Sequence, residues 1–103
     1  MEREQPIRIL IVDDHPVVRH GLMAAVGRAQ DMTVVGAVAD LEQALDLCRS
    51  DPPDVILLDL WLPGAPPDQA VSQIRDALPL GVAPKRVIGD KQHVRVRLLP
   101  NRP

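Results

Sequence analysis

The segment Ile7–Val12, apolar except for Arg8, runs directly into two adjacent carboxylates, Asp13 and Asp14. No other feature constrains the fold as tightly. A short continuous apolar run suits a strand covered on both faces, the kind found inside parallel sheets. The paired acids that follow repel each other and resist desolvation, so the pair needs a compensating cation or access to water. The pattern returns in Asp54-Val-Ile-Leu-Leu-Asp-Leu60, the most apolar stretch of the chain, where the closing acid is Asp59. Residues 33–38 form a third β-rich run between them.

Helical signals separate these strands. Pro16 suits a first helical turn, where its missing N–H costs nothing. Val18, Leu22, Val26 and Ala29 then recur at helical spacing and predict one buried face, with Gly27 a weak point. Asp40-Leu-Glu-Gln43 reads as a capping box, with Asp40 as the N-cap. Leu41, Ala44, Leu45 and Cys48 form the stripe behind it, and Pro52-Pro53 stops the helix. Pro63-Gly64 marks a turn, and Pro66-Pro67 stiffens the loop after it. Asp68 is the expected cap of a third helix, with Val71, Ile74 and Leu78 facing inward and Pro79 ending it. Strands alternating with helices imply right-handed crossovers and a parallel sheet with helices on both faces, an α/β doubly wound fold.

The chain has 103 residues, enough for one domain. Its net charge of -2 gives no nucleic-acid signal. A lone cysteine, Cys48, allows no internal disulfide and suggests a reducing compartment. No apolar run reaches membrane-spanning length and no signal peptide is evident, so a cytoplasmic location is expected. The charge is divided unevenly. Residues 1–78 hold 6 basic and 13 acidic residues, whereas residues 79–103 hold 6 basic residues and a single acid, Asp90. Four of the 11 prolines also fall in that tail. The expected division is therefore a partial domain over residues 6–78 and an atypical basic, proline-rich tail over 79–103. In the tail, His93-Val-Arg-Val-Arg-Leu-Leu99 alternates as an edge strand does, and residues 86–88 offer a very short strand. Arg95 and Arg97 are read as solvated residues of that edge.

Ligands of open parallel sheets bind at the carboxyl ends of the strands. Asp13 and Asp14 end the first strand and Asp59 ends the third, and these two strands are neighbours in the usual order. Three carboxylates should therefore converge. Oxygen-only donors favour a hard cation such as Mg2+. A carboxylate beside such an ion is also a nucleophile for phosphorus. His15 is read as a loop residue rather than a ligand, and Cys48 as core rather than a redox group.

"ILIVDDHPVVRHGL" and "PDVILLDLWLPG" resemble the receiver domain of two-component response regulators, and "DDHPVVR-GL" is most similar to the subfamily with a LuxR-type helix-turn-helix output. The resemblance covers residues 6–78 and implies a flavodoxin-like receiver fold that is C-terminally truncated, with three β-α units. It implies that Asp59 accepts a phosphoryl group from a sensor histidine kinase. It also implies that Asp14 holds Mg2+ directly, Asp13 largely through water, and that Asp59 and the backbone carbonyl of Trp61 complete the ligands. Pro63 and Gly64 match the turn after the acceptor. The departures are Leu62 for a usual methionine, Pro67 for a usual glycine, and no match for the strand-four Ser/Thr, the strand-five lysine or the switch aromatic.

The implied role is a phosphorelay receiver upstream of transcription regulation, with no catalytic residue beyond Asp59 and no enzyme activity of its own. Candidate partners are a sensor histidine kinase and a second copy of the chain; no membrane and no direct nucleic-acid contact are expected, because no helix-turn-helix follows. Two alternatives stay open: a degenerate receiver that only binds proteins, and a non-functional fragment. A phosphoaspartate hydrolase is disfavoured, because Trp61 stands where a second aspartate is usual. With strands four and five missing from a 2-1-3-4-5 order, strand three would be an edge that tail residues 86–88 or 94–99 could cover. A frameshift past residue 78 would account for the tail's composition.

Overall fold

A computed structural model describes residues 6–59, 62–78, 82–89 and 93–100, the last two segments as backbone only. Strands and helices alternate as β1 (Ile7–Val12), α1 (Pro16–Gly27), β2 (Met32–Val38), α2 (Leu41–Ser50), β3 (Val55–Asp59) and α3 (Pro67–Ala77). Two further strands follow, β4 (Val82–Gly89) and β5 (His93–Pro100). The sheet order is β2-β1-β3-β5-β4. β1 lies parallel to both β2 and β3, the parallel sheet the alternation implied and the flavodoxin-like order the receiver resemblance implied.

Strand periodicity divides the core. Leu10, Val12, Ile56 and Leu58 face α2 and α3, where they meet Ala44, Cys48, Ala70 and Ile74. Ile9 and Ile11 face the other way and pack with Val26 and Leu22 of α1. Because successive side chains alternate across a strand, one apolar run supplies both layers. That explains why β1 and β3 lack the polar alternation of a half-exposed strand.

The helix ends follow local chemistry, with two corrections. Asp40 caps α2 as expected: its Oδ1 accepts from the Gln43 N–H at 2.9 Å. Gln43 Oε1 reaches back one residue further than a capping box requires and accepts from the Ala39 N–H at 3.3 Å. Asp68, in contrast, does not cap α3. That helix starts at Pro67 with Pro66 as its N-cap residue, so Asp68 lies in the first turn. There its charge acts on the helix dipole. Leu78 is extended, as a residue before proline must be. The buried face of α1 is also narrower than its spacing implied. Val26 is buried, but Val18 is exposed and Ala29 lies beyond the helix.

One irregularity positions β2. The β1–β2 register shifts between Ile9 and Leu10, leaving Gly36 opposite Leu10. A Cβ at Gly36 would come 2.7 Å from Leu47 Cδ1 and 3.1 Å from Leu10 Cδ1, so a side chain there would push the Leu47 tip of α2 aside. Gly64 meets a different demand, turning the chain after β3 with φ +73°.

The last two strands alter the sheet beyond β3. β5 pairs antiparallel with β3, Val55 opposite Arg97 through Asp59 opposite His93. β4 then pairs antiparallel with β5. The alternation of residues 93–99 implied an edge strand; the structure sets β5 between β3 and β4, and β4 takes the edge. A parallel neighbour needs a crossover of a dozen residues or more, while an antiparallel pair closes through a short loop. Gly89 and His93 are too close in sequence for anything else.

Candidate functional site

The site forms where β1 and β3 end together. Their register pairs each β1 residue with the residue 46 positions later, Ile9 with Val55 through Val12 with Leu58. Arg8 and Asp54 hold the same offset, the Arg8 N–H donating to Asp54 Oδ2 at 2.9 Å. One more step brings Asp13 level with Asp59. Alternation then carries both onto the face of Ile9, Ile11, Val55 and Leu57, beside the start of α1. A shift of one residue would have turned one of these carboxylates to the opposite face.

Asp13 and Asp59 are the buried charged residues of the described core, at 1% and 4% exposure. Asp14 is partly exposed. Backbone contacts hold the rim. The Asp13 N–H donates to the Val38 carbonyl at 3.0 Å, and the Asp13 carbonyl accepts from Arg19 Nη1 at 2.9 Å. The carboxylate of Asp13 accepts from the His15 backbone N–H at 2.9 Å, which closes the turn into α1.

His15 contributes more than the loop role read from the sequence. Its Nδ1 lies 3.0 Å from Asp13 Oδ1, 3.1 Å from Asp14 Oδ1 and 3.6 Å from Asp59 Oδ2. Ligand atoms of Asp13, Asp14, His15 and Asp59 all lie within 4.8 Å of one another. The hydrogen bond to Asp13 raises the His15 pKa above its usual 6.5, and the charge of Asp14 adds to that rise. The signal that could have found it is its position directly after the acid pair and before Pro16, which restricts His15 to an extended backbone.

Three carboxylates at this separation are a donor set for a hard divalent cation. The fit rests on Asp14. Its Oδ1 is buried and accepts no well-formed hydrogen bond, facing only His15 Nδ1 at 3.1 Å, so it keeps lone pairs to offer a cation. Trp61, whose backbone carbonyl was the fourth expected ligand, lies outside the described residues. The side chains of Arg95 and Arg97 likewise lie outside the described set. Among the described residues, no helix is long and apolar enough to cross a membrane.

The response regulator receiver domain family matches residues 9–82. The nitrate/nitrite response regulator protein NarL of Escherichia coli is 40% identical over 76 residues, which span 74% of this chain and 35% of that protein. A solved LuxR-family two-component response regulator from an Aurantimonas species is similar at TM-score 0.64 and 39% identity, covering 70% of this chain and 51% of that one. The signal receiver domain of a NarL response regulator from Mycobacterium tuberculosis is similar at TM-score 0.65 and 34% identity, covering 71% of this chain and 59% of that one. The chain thus spans about a third of the length of the NarL relative it matches.

Proposed function

The chain belongs to the response regulator receiver domain family, and on that premise we propose that Asp59 accepts a phosphoryl group from a sensor histidine kinase, in a site that holds Mg2+, upstream of transcription regulation. Residues 6–78 are the receiver portion in this reading, and residues 79–103 a tail of different origin. One observation carries it: two buried carboxylates, Asp13 and Asp59, meet a third, Asp14, at the carboxyl ends of neighbouring parallel strands.

Asp13, Asp14 and Asp59, with the Trp61 carbonyl, would hold the ion. When bound, Mg2+ neutralises charge on the carboxylates and on the phosphoryl oxygens. The chain's own residues do the rest. A carboxylate oxygen of Asp59 attacks phosphorus, an acyl–phosphate bond forms, and the phosphorus–nitrogen bond of the kinase phosphohistidine breaks as neutral imidazole leaves with a proton from solvent. β3 anchors Asp59 at the rim, so attack needs little rearrangement. The phosphorylated site then biases a two-state surface.

A specific observation favours a second reading, the degenerate receiver that binds protein partners without phosphotransfer. The strand beside β3 is antiparallel, and His93 occupies the position opposite Asp59. The serine or threonine and the lysine usual in the family have no counterpart in the sequence.

Incubating the chain with acetyl phosphate and Mg2+ tests the first reading. The expected result is the mass gain of one phosphoryl group, absent in Asp59→Asn and absent when the metal is chelated. No gain with the intact chain would end it. Kinase binding that ignores both Asp59→Asn and Mg2+ would establish the second.

A further inference from the structure

We infer that Arg19 is a positioning residue of the acidic rim: by donating to the Asp13 carbonyl, its guanidinium fixes the peptide that joins Asp13 to Asp14 and so holds the Asp14 carboxylate at the rim. The inference rests on the metal site proposed above and adds to it a residue that supplies no ligand atom.

The helix itself gives no reason for an arginine at this place. Arg19 is the fourth residue of α1, and its backbone N–H donates to the His15 carbonyl at 2.9 Å. A cation so near the N-terminus opposes the helix dipole. No acid in the first turn offsets it, and no side-chain bond caps the helix. The side chain is also half-buried rather than free in water. Long helical side chains lean toward the N-terminus, which carries this one back over the rim. Nη1 comes to 2.9 Å from the carbonyl of Asp13, six residues earlier.

That bond acts on Asp14 through the backbone. A peptide unit is planar, so holding the Asp13 carbonyl also sets the nitrogen and Cα of Asp14. The peptide on the other side of Asp14 is held as well, by the His15 N–H on the Asp13 carboxylate at 2.9 Å. Asp14 therefore stands between two anchored planes, and one of the anchors is the Arg19 side chain. Packing fixes Asp13 and Asp59, which are buried, but Asp14 is partly exposed and depends on its backbone for direction. The Arg19 bond goes to a carbonyl, so it uses no carboxylate lone pair that a cation would need.

The two effects of the guanidinium have opposite signs. As a charge it repels a divalent ion, so its removal would tighten binding. As an anchor it holds a ligand in place, so its removal weakens binding. Ion size separates them further, because Mg2+ demands near-ideal octahedral geometry while Ca2+ accepts a looser set.

The test is equilibrium titration of the full chain with Mg2+ and with Ca2+, in separate experiments without phosphodonor. Arg19→Met is expected to weaken Mg2+ binding about tenfold and Ca2+ binding less than about threefold. Arg19→Lys keeps a donor and should bind Mg2+ within about threefold of wild type. Arg28→Met, which removes an exposed cation beyond the other end of α1, should match wild type. A second readout needs no metal: backbone order at Asp14, from nitrogen relaxation, should fall in Arg19→Met and return in Arg19→Lys. Should Arg19→Met fail to fold, Arg19→Gln, too short to reach the carbonyl, takes its place with the same expectations. Tighter or unchanged Mg2+ binding, equal losses for the two ions, or unchanged order at Asp14 would overturn the inference and leave the metal site standing. An intact chain that binds neither ion would overturn both.

Discussion

Asp40 and Cys48 show how single side chains act on opposite ends of α2. Asp40 meets the Gln43 N–H at 2.9 Å, satisfying a donor that the helix itself cannot. Asp40→Ala should cost about 1 kcal/mol, read as a fall of several degrees in the thermal midpoint. Cys48 is fully buried, and that burial pushes its thiol from 9.0 up to about 11. The folded state therefore holds the thiol proton more tightly than the unfolded chain does. Its contribution is fully present below pH 9.0 and is lost as pH rises from there through about 11. Denaturation of wild type and Cys48→Ala between pH 8 and 11 should show a steeper alkaline loss in wild type. The same burial leaves about one thiol in a thousand ionised at pH 8, so a thiol reagent should react readily only after unfolding. His15 belongs here too. Its place between the acid pair and Pro16 marks it as a rim residue, while its approach to Asp59, 44 positions away, comes only with the pairing of β1 and β3.

Among the elements, β5 carries the most consequence for the site. It fills the position beside β3 that would otherwise expose unpaired backbone, and the pairing runs the full length of β3. β5 is interior, bonded to β3 on one side and β4 on the other. A proline within it must remove a ladder bond on one side or the other. Val96, which pairs with Ile56 and Val87, is the central choice. Val96→Pro should lower the denaturation midpoint markedly and speed amide exchange in β3, measured residue by residue. Unchanged exchange at Ile56 would show that β3 does not depend on the tail. α1 teaches the opposite lesson about elements. Its spacing implied a continuous apolar face, of which Leu22 and Val26 pack in the core while Val18 is exposed; Val17 and Met23, off that face, are also solvent-facing. Helical periodicity says that residues share a face and is silent on how much sheet lies beneath it.

For the chain as a unit, the converging carboxylates impose a cost that a cation removes. Mg2+ binding to the folded state alone should therefore raise the thermal midpoint in a saturable way, by an amount equivalent to about 2.7 kcal/mol at a hundredfold excess over Kd. Asp13→Asn and Asp59→Asn should each flatten that response. The β-α alternation, the α2 cap, the turn at Gly64 and the acids at the ends of two strands were all legible in residue order, because each depends on neighbours within one turn or one strand. A parallel α/β core then follows, since apolar strands linked by helices leave few alternatives, and the receiver resemblance adds the flavodoxin-like order. Several features lay beyond that reach: the 46-residue offset that levels Asp13 with Asp59, the antiparallel placement of β5 and the approach of His15 to three carboxylates. Each joins segments far apart in the chain. Short apolar strands are compatible with several registers and neighbours, and the choice among them falls to the packing of Gly36 under α2, the two-faced core and the edge left open beside β3.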